Sequence, residues 1–518
     1  MTAPVATRVQ ALISLRQIVN QWYELEYSGY AVWIFLTGFV AIWTCFQVLS
    51  FASVDLHPDM VEVFAWSRHL SFGYYKHPPL NALIAAAWFS VLPVADWSFH
   101  LLAMVNSAIA LLGVDLISRR YLSGDKRLLV LLLLVLTPFY QFHGQRFSTN
   151  QTLLSTWPIA TYCFLRAFES RRSGWAVAAG VAAAAAMLGK YYSIYLIAGF
   201  CIAAIMHPER RLYFASSSPW ISVAVGMCVL MPHVVWLWRS GWQPFHYAVS
   251  VHGADSWWMA LTSIGSYVIG ALGYVALPVC VYVIASRTDR QALRDAFWPS
   301  EPSRRMLVVL LAAPMLLPIV TALIARVQLT SLWTMQSWFL LPIVLLSPRR
   351  VSLQRSAAID VGLAVLAVTM AALVAAPALA WSYHVRGTKE GREYYRLVSA
   401  ELTREWRRET GHRLSIVAGD PDLAAAATFY SSDSPDYVPG FHFEVAPWVT
   451  PQRLDADGWV SICKNDDETC IADAERYADS AGRARKFEIE LTPVFLQHAG
   501  RPGRFLATFF LPRAEISG

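Results

Sequence analysis

Long apolar stretches recur through the first three quarters of the chain, and they leave it little choice of fold. They lie near 30–51, 98–117, 127–143, 152–168, 174–188, 191–206, 220–238, 262–284, 306–325, 332–347 and 357–379. About 20 apolar residues in a helix cross a bilayer core of about 30 Å, and a helix satisfies its own backbone in lipid. Several stretches are shorter, so their edges are soft. The composition agrees: 56% hydrophobic and 15% charged, against about 25% charged in soluble domains. The expectation is a polytopic α-helical membrane protein with about eleven transmembrane helices. The net charge of +6 sits in particular loops rather than in a patch, which gives no reason to expect nucleic acid as a partner. Residues 1–29 carry Arg8 and Arg16, and no small-residue cleavage site follows the first apolar run, which therefore reads as a signal anchor.

Loop charge sets the orientation. The difficult stretch is 79–95, apolar enough to be a twelfth span. If it lies along the interface and the N-terminus is inside, eighteen basic residues fall in cytoplasmic loops, among them Arg119, Arg120, Lys126, Arg127, Arg304 and Arg355. Six fall outside before the tail: Arg68, Lys76, Arg146, Lys190, Arg239 and Arg326. Making 79–95 a span would reverse most later loops and violate the positive-inside rule. The expected organisation is a membrane domain over 1–380, with a first outer loop at 52–97, and an extracytoplasmic domain over 381–518.

In that tail charges become frequent and strand-like runs appear at 414–418, 459–463, 487–491 and 505–510, alternating with helical patterns at 390–410 and 421–430. A small α/β fold is the expectation. Five cysteines fall inside apolar runs, where a thiol is a small hydrophobe. Cys463 and Cys470 lie together in the polar tail, where a disulfide fits an oxidising compartment. A zinc site would need two further ligands, and no His/Asp cluster has metal-ligand spacing.

The first outer loop concentrates the chemistry. Asp55, Asp59, Glu62, Arg68, His69, Lys76 and His77 lie within 26 residues, with Pro78 and Pro79. Ionisable groups are costly beside a bilayer, so such a cluster reads as a site; an ordinary polar loop has no need of Gly73-Tyr-Tyr-Lys-His-Pro-Pro79. Pro58 suits the first position of a helix running to about residue 70. Asp59 and Glu62 then share a face, and an ionised Asp59 has the properties of a general base for an acceptor hydroxyl or amine. The alternative, that Asp59 only caps the helix, is weakened by Asp55, the better capper. Arg68, Lys76, Arg146 and Lys190 sit at span ends, at headgroup depth, where cations stabilise a phosphate leaving group or simply anchor the chain. Tyr74, Tyr75, Tyr191, Tyr192, Trp242 and Trp333 suit a sugar pocket, and they suit an interfacial aromatic belt equally.

An acidic motif after the first span, followed by Gly73-Tyr-Tyr-x-His-Pro-Pro-Leu80, resembles the GT-C membrane glycosyltransferases. The similarity is to the bacterial group related to protein O-mannosyltransferases and the lipid A aminoarabinose transferase, and it extends over roughly 30–380. The resemblance implies a sugar donor carried on polyprenyl phosphate, a lipid or glycolipid acceptor (lipid A, lipopolysaccharide core or another envelope glycolipid), and direct displacement with inversion. It also implies a bacterial inner-membrane location and no cofactor. The family's Asp-Glu begins at Asp59, but the next residue here is Met60, with Glu62 one turn along. The family's carrier-phosphate Lys falls on His77, beside Lys76. Asn150 stands where relatives carry Asp, and Leu188-Gly-Lys190 matches the family's Leu-x-Lys turn. By this resemblance Asp59 and Glu62 are catalytic candidates, and Lys76, His77, Arg68, Arg146, Asn150, Lys190 and Tyr75 are candidates for carrier phosphate and sugar. A protein Ser/Thr acceptor keeps the same fold. A polyprenyl-lipid transporter would need charges near the bilayer midplane, where only Asp115, towards an inner span end, stands out.

Overall fold

The structure, a computed structural model, describes residues 3–481 and 484–512; the side chain of Arg8 and the chain end at Gly518 lie outside that description. It divides into two compact units. One comprises 1–44, 75–80 and 101–373, and the other 45–74, 81–100 and 374–518.

The chain is mostly helical. Among the described residues six helices are long and apolar enough to cross a membrane: Tyr30–Ser50, Asp96–Ser118, Ser218–Arg239, Trp257–Ala285, Pro302–Ala325 and Arg355–Arg386. Helix is present in all eleven expected stretches; six of them hold the long helices just named, and of the other five two are interrupted. The stretch 127–143 is helical only over Asp125–Val135, because Pro138 disfavours helix in the residue before it. The stretch 332–347 is broken into the 3-10 turns Ser331–Thr334 and Trp338–Leu340 and a short helix Leu341–Leu346. Pro342 can begin that last helix but lacks the N–H to continue an earlier one. In 79–95 the helix is Leu80–Phe89; ten residues rise about 15 Å, half a bilayer core.

In the first unit, helices Ser173–Gly189 and Ser218–Arg239 meet at Gly180 and Gly226. A Cβ on Gly180 would lie 2.5 Å from the Ser222 carbonyl oxygen, so the close crossing depends on a small residue there. Asp115 also finds its explanation in this unit. Its carboxylate accepts from Arg127 Nε at 2.6 Å and pairs with Arg119 at 2.7 Å, while Arg127 reaches Glu26 at 2.9 Å. A buried carboxylate this well paired is a structural staple.

In the second unit, five strands run in the order Asp436–Tyr437, Ile416–Gly419, Trp459–Lys464, Gly503–Phe510 and Ala484–Leu491. The first three are parallel and the last two join antiparallel. Trp459 pairs with Phe510 across two strands, their rings stacked 3.7 Å apart, the kind of aromatic cross-strand pair that stabilises a sheet. Helices Tyr395–Thr410 and Pro421–Tyr430 fall where the sequence pattern puts them. Strand Asp436–Tyr437 and helices Pro451–Asp457 and Glu468–Ala481 were not anticipated. Cys463 and Cys470 are disulfide-bonded, tying strand Trp459–Lys464 to helix Glu468–Ala481.

Candidate active site

The acidic residues belong to the second unit. Helix Pro58–Ser67 starts as expected, with Pro58 in the first turn and the residue before it extended, the conformation proline imposes. The cap differs from the expectation. His57, not Asp55, caps the helix, its Nδ1 accepting from the Asp59 N–H at 3.2 Å. Asp55 cannot cap because it is buried and engaged elsewhere: it accepts from the Arg396 N–H at 2.8 Å and from Arg396 Nε at 3.2 Å, while Arg392 donates to its carbonyl. Burial outweighs Arg396 and pushes the Asp55 carboxyl up to about 6. Asp59 is the exposed acid, with 54% of its side chain accessible and His57 Nδ1 3.6 Å away.

The opposite face of the helix buries Met60, Val63, Phe64 and Trp66. Phe64 meets Phe429 edge to face at 4.9 Å and Phe89 at 5.3 Å; burying a side chain of this size contributes about 2–3 kcal/mol. Glu62 accepts from the Tyr437 hydroxyl at 3.1 Å. Beyond the helix, Arg68 is exposed. His69 meets Asp436 at 2.7 Å and lies flat on Trp448, 4.7 Å between ring centres. Tyr74, a candidate for a sugar pocket, is buried and donates to the Trp66 and His69 carbonyls at 3.0 and 3.1 Å. It closes the loop instead.

The basic residues belong to the first unit. Lys190 follows helix Ser173–Gly189 in extended conformation and precedes the 3-10 turn Tyr191–Ser193. Ser193 fastens that turn, receiving from Trp157 Nε1 at 3.0 Å and donating to the Ala186 carbonyl at 2.7 Å. Lys190 Nζ donates to Asn150 Oδ1 at 2.7 Å and sits 5.0 Å from the centre of the Trp333 ring, within cation–π range. Lys76 Nζ lies 5.1 Å from the Tyr75 ring and 5.6 Å from Tyr247. His77 feels both lysines. Burial first, then Lys190, Lys76 and His252, lowers its imidazole to about 3, so it is neutral at physiological pH. It can accept or donate a hydrogen bond but adds no charge to the two ammonium groups. Arg146 is exposed. Among the described residues no group of three His, Cys, Asp or Glu could hold a metal ion.

Residues 76–236 match the family described as dolichyl-phosphate-mannose-protein mannosyltransferase. A lipid A galacturonosyltransferase, RgtD of Rhizobium johnstonii, is 26% identical over 191 residues, covering 36% of this chain and 40% of the relative. The alignment thus spans well under half of that protein. ArnT of Cupriavidus metallidurans, crystallised with undecaprenyl phosphate, superposes with a TM-score of 0.58 at 13% identity, over 94% of this chain and 99% of that one. Its apo form gives 0.54 at 12% identity. At such identities the superpositions speak for the fold alone. The fold is that of ArnT, and within it residues 76–236 carry the likeness to the mannosyltransferase family.

Two residues of the basic group escaped the sequence reading. Tyr247 and His252 lie on helix Gln243–His252, and His252 meets Trp333 edge-on at 4.9 Å. That helix is short and half polar, and nothing in its local pattern marks it. Of the aromatic candidates, Tyr75 and Trp333 are the two beside lysines, while the Tyr191 hydroxyl meets His233 at 3.0 Å and Trp242 begins helix Gln243–His252 in left-handed conformation.

Proposed function

We propose that the chain transfers a sugar from a polyprenyl-phosphate carrier to lipid A, lipopolysaccharide core or a related envelope glycolipid at the outer face of a bacterial inner membrane. The observation that carries this reading is the basic group: Lys76 and Lys190, with neutral His77 and Asn150 beside them and tyrosine and tryptophan rings facing the ammonium groups. Two compact cations among aromatic faces suit a phosphate joined to a sugar and a prenyl chain. The relative acts on lipid A by its name, and the ArnT crystals hold undecaprenyl phosphate, which favours the same donor and acceptor classes here.

Asp59 is the general base in this reading, with Glu62 in support. The acceptor hydroxyl gives its proton to Asp59 as its oxygen attacks the anomeric carbon. The bond from that carbon to the phosphate oxygen breaks, and Lys76 and Lys190 stabilise the departing polyprenyl phosphate. No covalent intermediate on the enzyme is needed, so configuration inverts. Eleven spans, a cytoplasmic N-terminus and an extracytoplasmic tail belong to the same proposal. The Cys463–Cys470 disulfide supports the placement of the tail, and a C-terminal reporter active only in the cytoplasm should be silent.

The test is an incubation of purified protein with a panel of polyprenyl-phosphate sugars and two acceptors, a lipid A preparation and a Ser/Thr-rich peptide. Consumption of one donor with lipid A as product is expected. Sugar appearing on the peptide instead would favour the protein acceptor that the family's description names. No donor consumed under either condition would sink the proposal.

A further inference from the structure

The motif helix Pro58–Ser67 does not stand alone. A strand nearly four hundred residues later grips it at two places. Tyr437 donates its hydroxyl to Glu62 at 3.1 Å, and the adjacent Asp436 takes His69 at 2.7 Å. Alternation along a strand sends neighbouring side chains to opposite faces, yet both reach the same segment, one on the helix and one just past its end.

Both grips are rigidly backed. Tyr437 is 2% exposed and in parallel register with Val417, and its carbonyl receives from Trp448 Nε1 at 3.1 Å. The second oxygen of Asp436 receives from Arg453 at 2.7 Å, and Arg453 also donates to the Trp448 carbonyl at 2.9 Å. Burial would raise the Asp436 carboxyl, but hydrogen bonds from His69 and Arg453 hold it below the usual carboxylate range, so it stays a charged acceptor. Trp448 thus braces the strand from one side and stacks on His69 from the other.

We propose that strand Asp436–Tyr437 is a positioning element of the catalytic carboxylates, with Tyr437 acting through Glu62 and Asp436 through His69. This rests on the reading that Asp59 and Glu62 serve the transfer step. Neither Tyr437 nor Asp436 touches substrate in this scheme. Tyr437 fixes where the Glu62 carboxylate points, and Asp436 fixes how the segment after the helix leaves it. Misplacing reacting groups by about 1 Å costs on the order of 100-fold, so a brace of this kind reports in kcat rather than in donor affinity.

The experiment is steady-state kinetics with thermal unfolding on full-length Tyr437→Phe, Glu62→Gln, their double variant and His69→Gln. Tyr395→Phe, a buried tyrosine bonded to the Glu390 carbonyl in the same unit, is the control. Expected are a roughly ten-fold fall in kcat for Tyr437→Phe, the size of one hydrogen bond to a charged group, an unchanged donor KM and no further loss when it is added to Glu62→Gln. His69→Gln, at a position about a quarter exposed, should lower kcat in the same direction. Tyr395→Phe should leave kcat alone. Additive losses in the double variant, or a fall in kcat only in step with the unfolding temperature, would overturn the positioning role. Glu62→Gln at the wild-type rate would instead sink the assignment of Glu62 itself. A slow Glu62→Gln beside a normal Tyr437→Phe and a normal His69→Gln would sink the brace alone.

Discussion

The acidic and basic groups are built by opposite means. The acids sit on one ten-residue helix, buried along one face and gripped by a distant sheet. The bases sit on separate connections between helices, each held by a single hydrogen bond or by aromatic rings: Asn150 and Trp333 at Lys190, and Tyr75 with Tyr247 around Lys76. A group that must take a proton at one atom needs orientation, and a hydrogen-bonded helix gives it. A group that balances a diffuse negative charge needs proximity more than angle, and an ammonium over an aromatic ring gives that. Substitutions should therefore behave differently in the two regions.

The largest effect is expected on the acidic side. Asp59→Asn keeps the shape of the side chain and removes the proton acceptor, so transfer should fall by ~10²–10⁴-fold with donor binding intact. Single-turnover rates beside a donor-binding isotherm check this. An Asn variant with more than half the normal rate would hand the base role to another acid.

A smaller effect is expected on the basic side, and in a different parameter. Lys76→Gln or Lys190→Gln removes a charge-assisted contact worth about 2–3 kcal/mol, which is roughly 30- to 150-fold in donor use. Acceptor dependence should hardly move. Lys→Arg should restore part of the loss, because the charge returns in a different shape. A donor titration on the four variants decides it: identical curves would leave the lysines as interfacial anchors.

The smallest effect concerns pH. With its folded pKa lowered to about 3, His77 takes no proton between pH 5 and 8, so wild type and His77→Gln should show pH–rate profiles of the same shape. The sign for stability follows. The unfolded imidazole titrates near 6.5, so the stability linked to His77 is present above that pH and is lost as pH falls towards 3. A wild-type profile with a step near 6.5 that His77→Gln abolishes would mean that the imidazole charges during turnover.

The contrast also explains what could be read from the chain. Helix Pro58–Ser67 was legible because proline, acids and an apolar face follow one another within ten residues. Lys190 was legible because it is one of the few cations on the expected outer side and stands in the turn Leu188-Gly-Lys190. The grips on these residues were not. Tyr437 lies in a two-residue strand, too short to carry an alternation signal, and Tyr247 lies on a short, half-polar helix with no pattern of its own. His57 took the cap because burial beside Arg396 had already claimed Asp55. Each of these outcomes depends on contacts between residues far apart in sequence.

The paired charges around Asp115 bear on how such a chain is made. Glu26, Asp115, Arg119 and Arg127 all belong to the first 127 residues. A chain emerging from the ribosome therefore has its own counterions at hand before any later helix exists: two acids and two bases, which cancel. Arg355, which bonds Asn20 and Asp125, and Asp360, which pairs with Arg16 at 2.9 Å, reach that end from late in the chain. These contacts join the start and the finish of the helical region. The early charges are thus balanced within their own segment, and the later ones tie that segment to the end of the helical region.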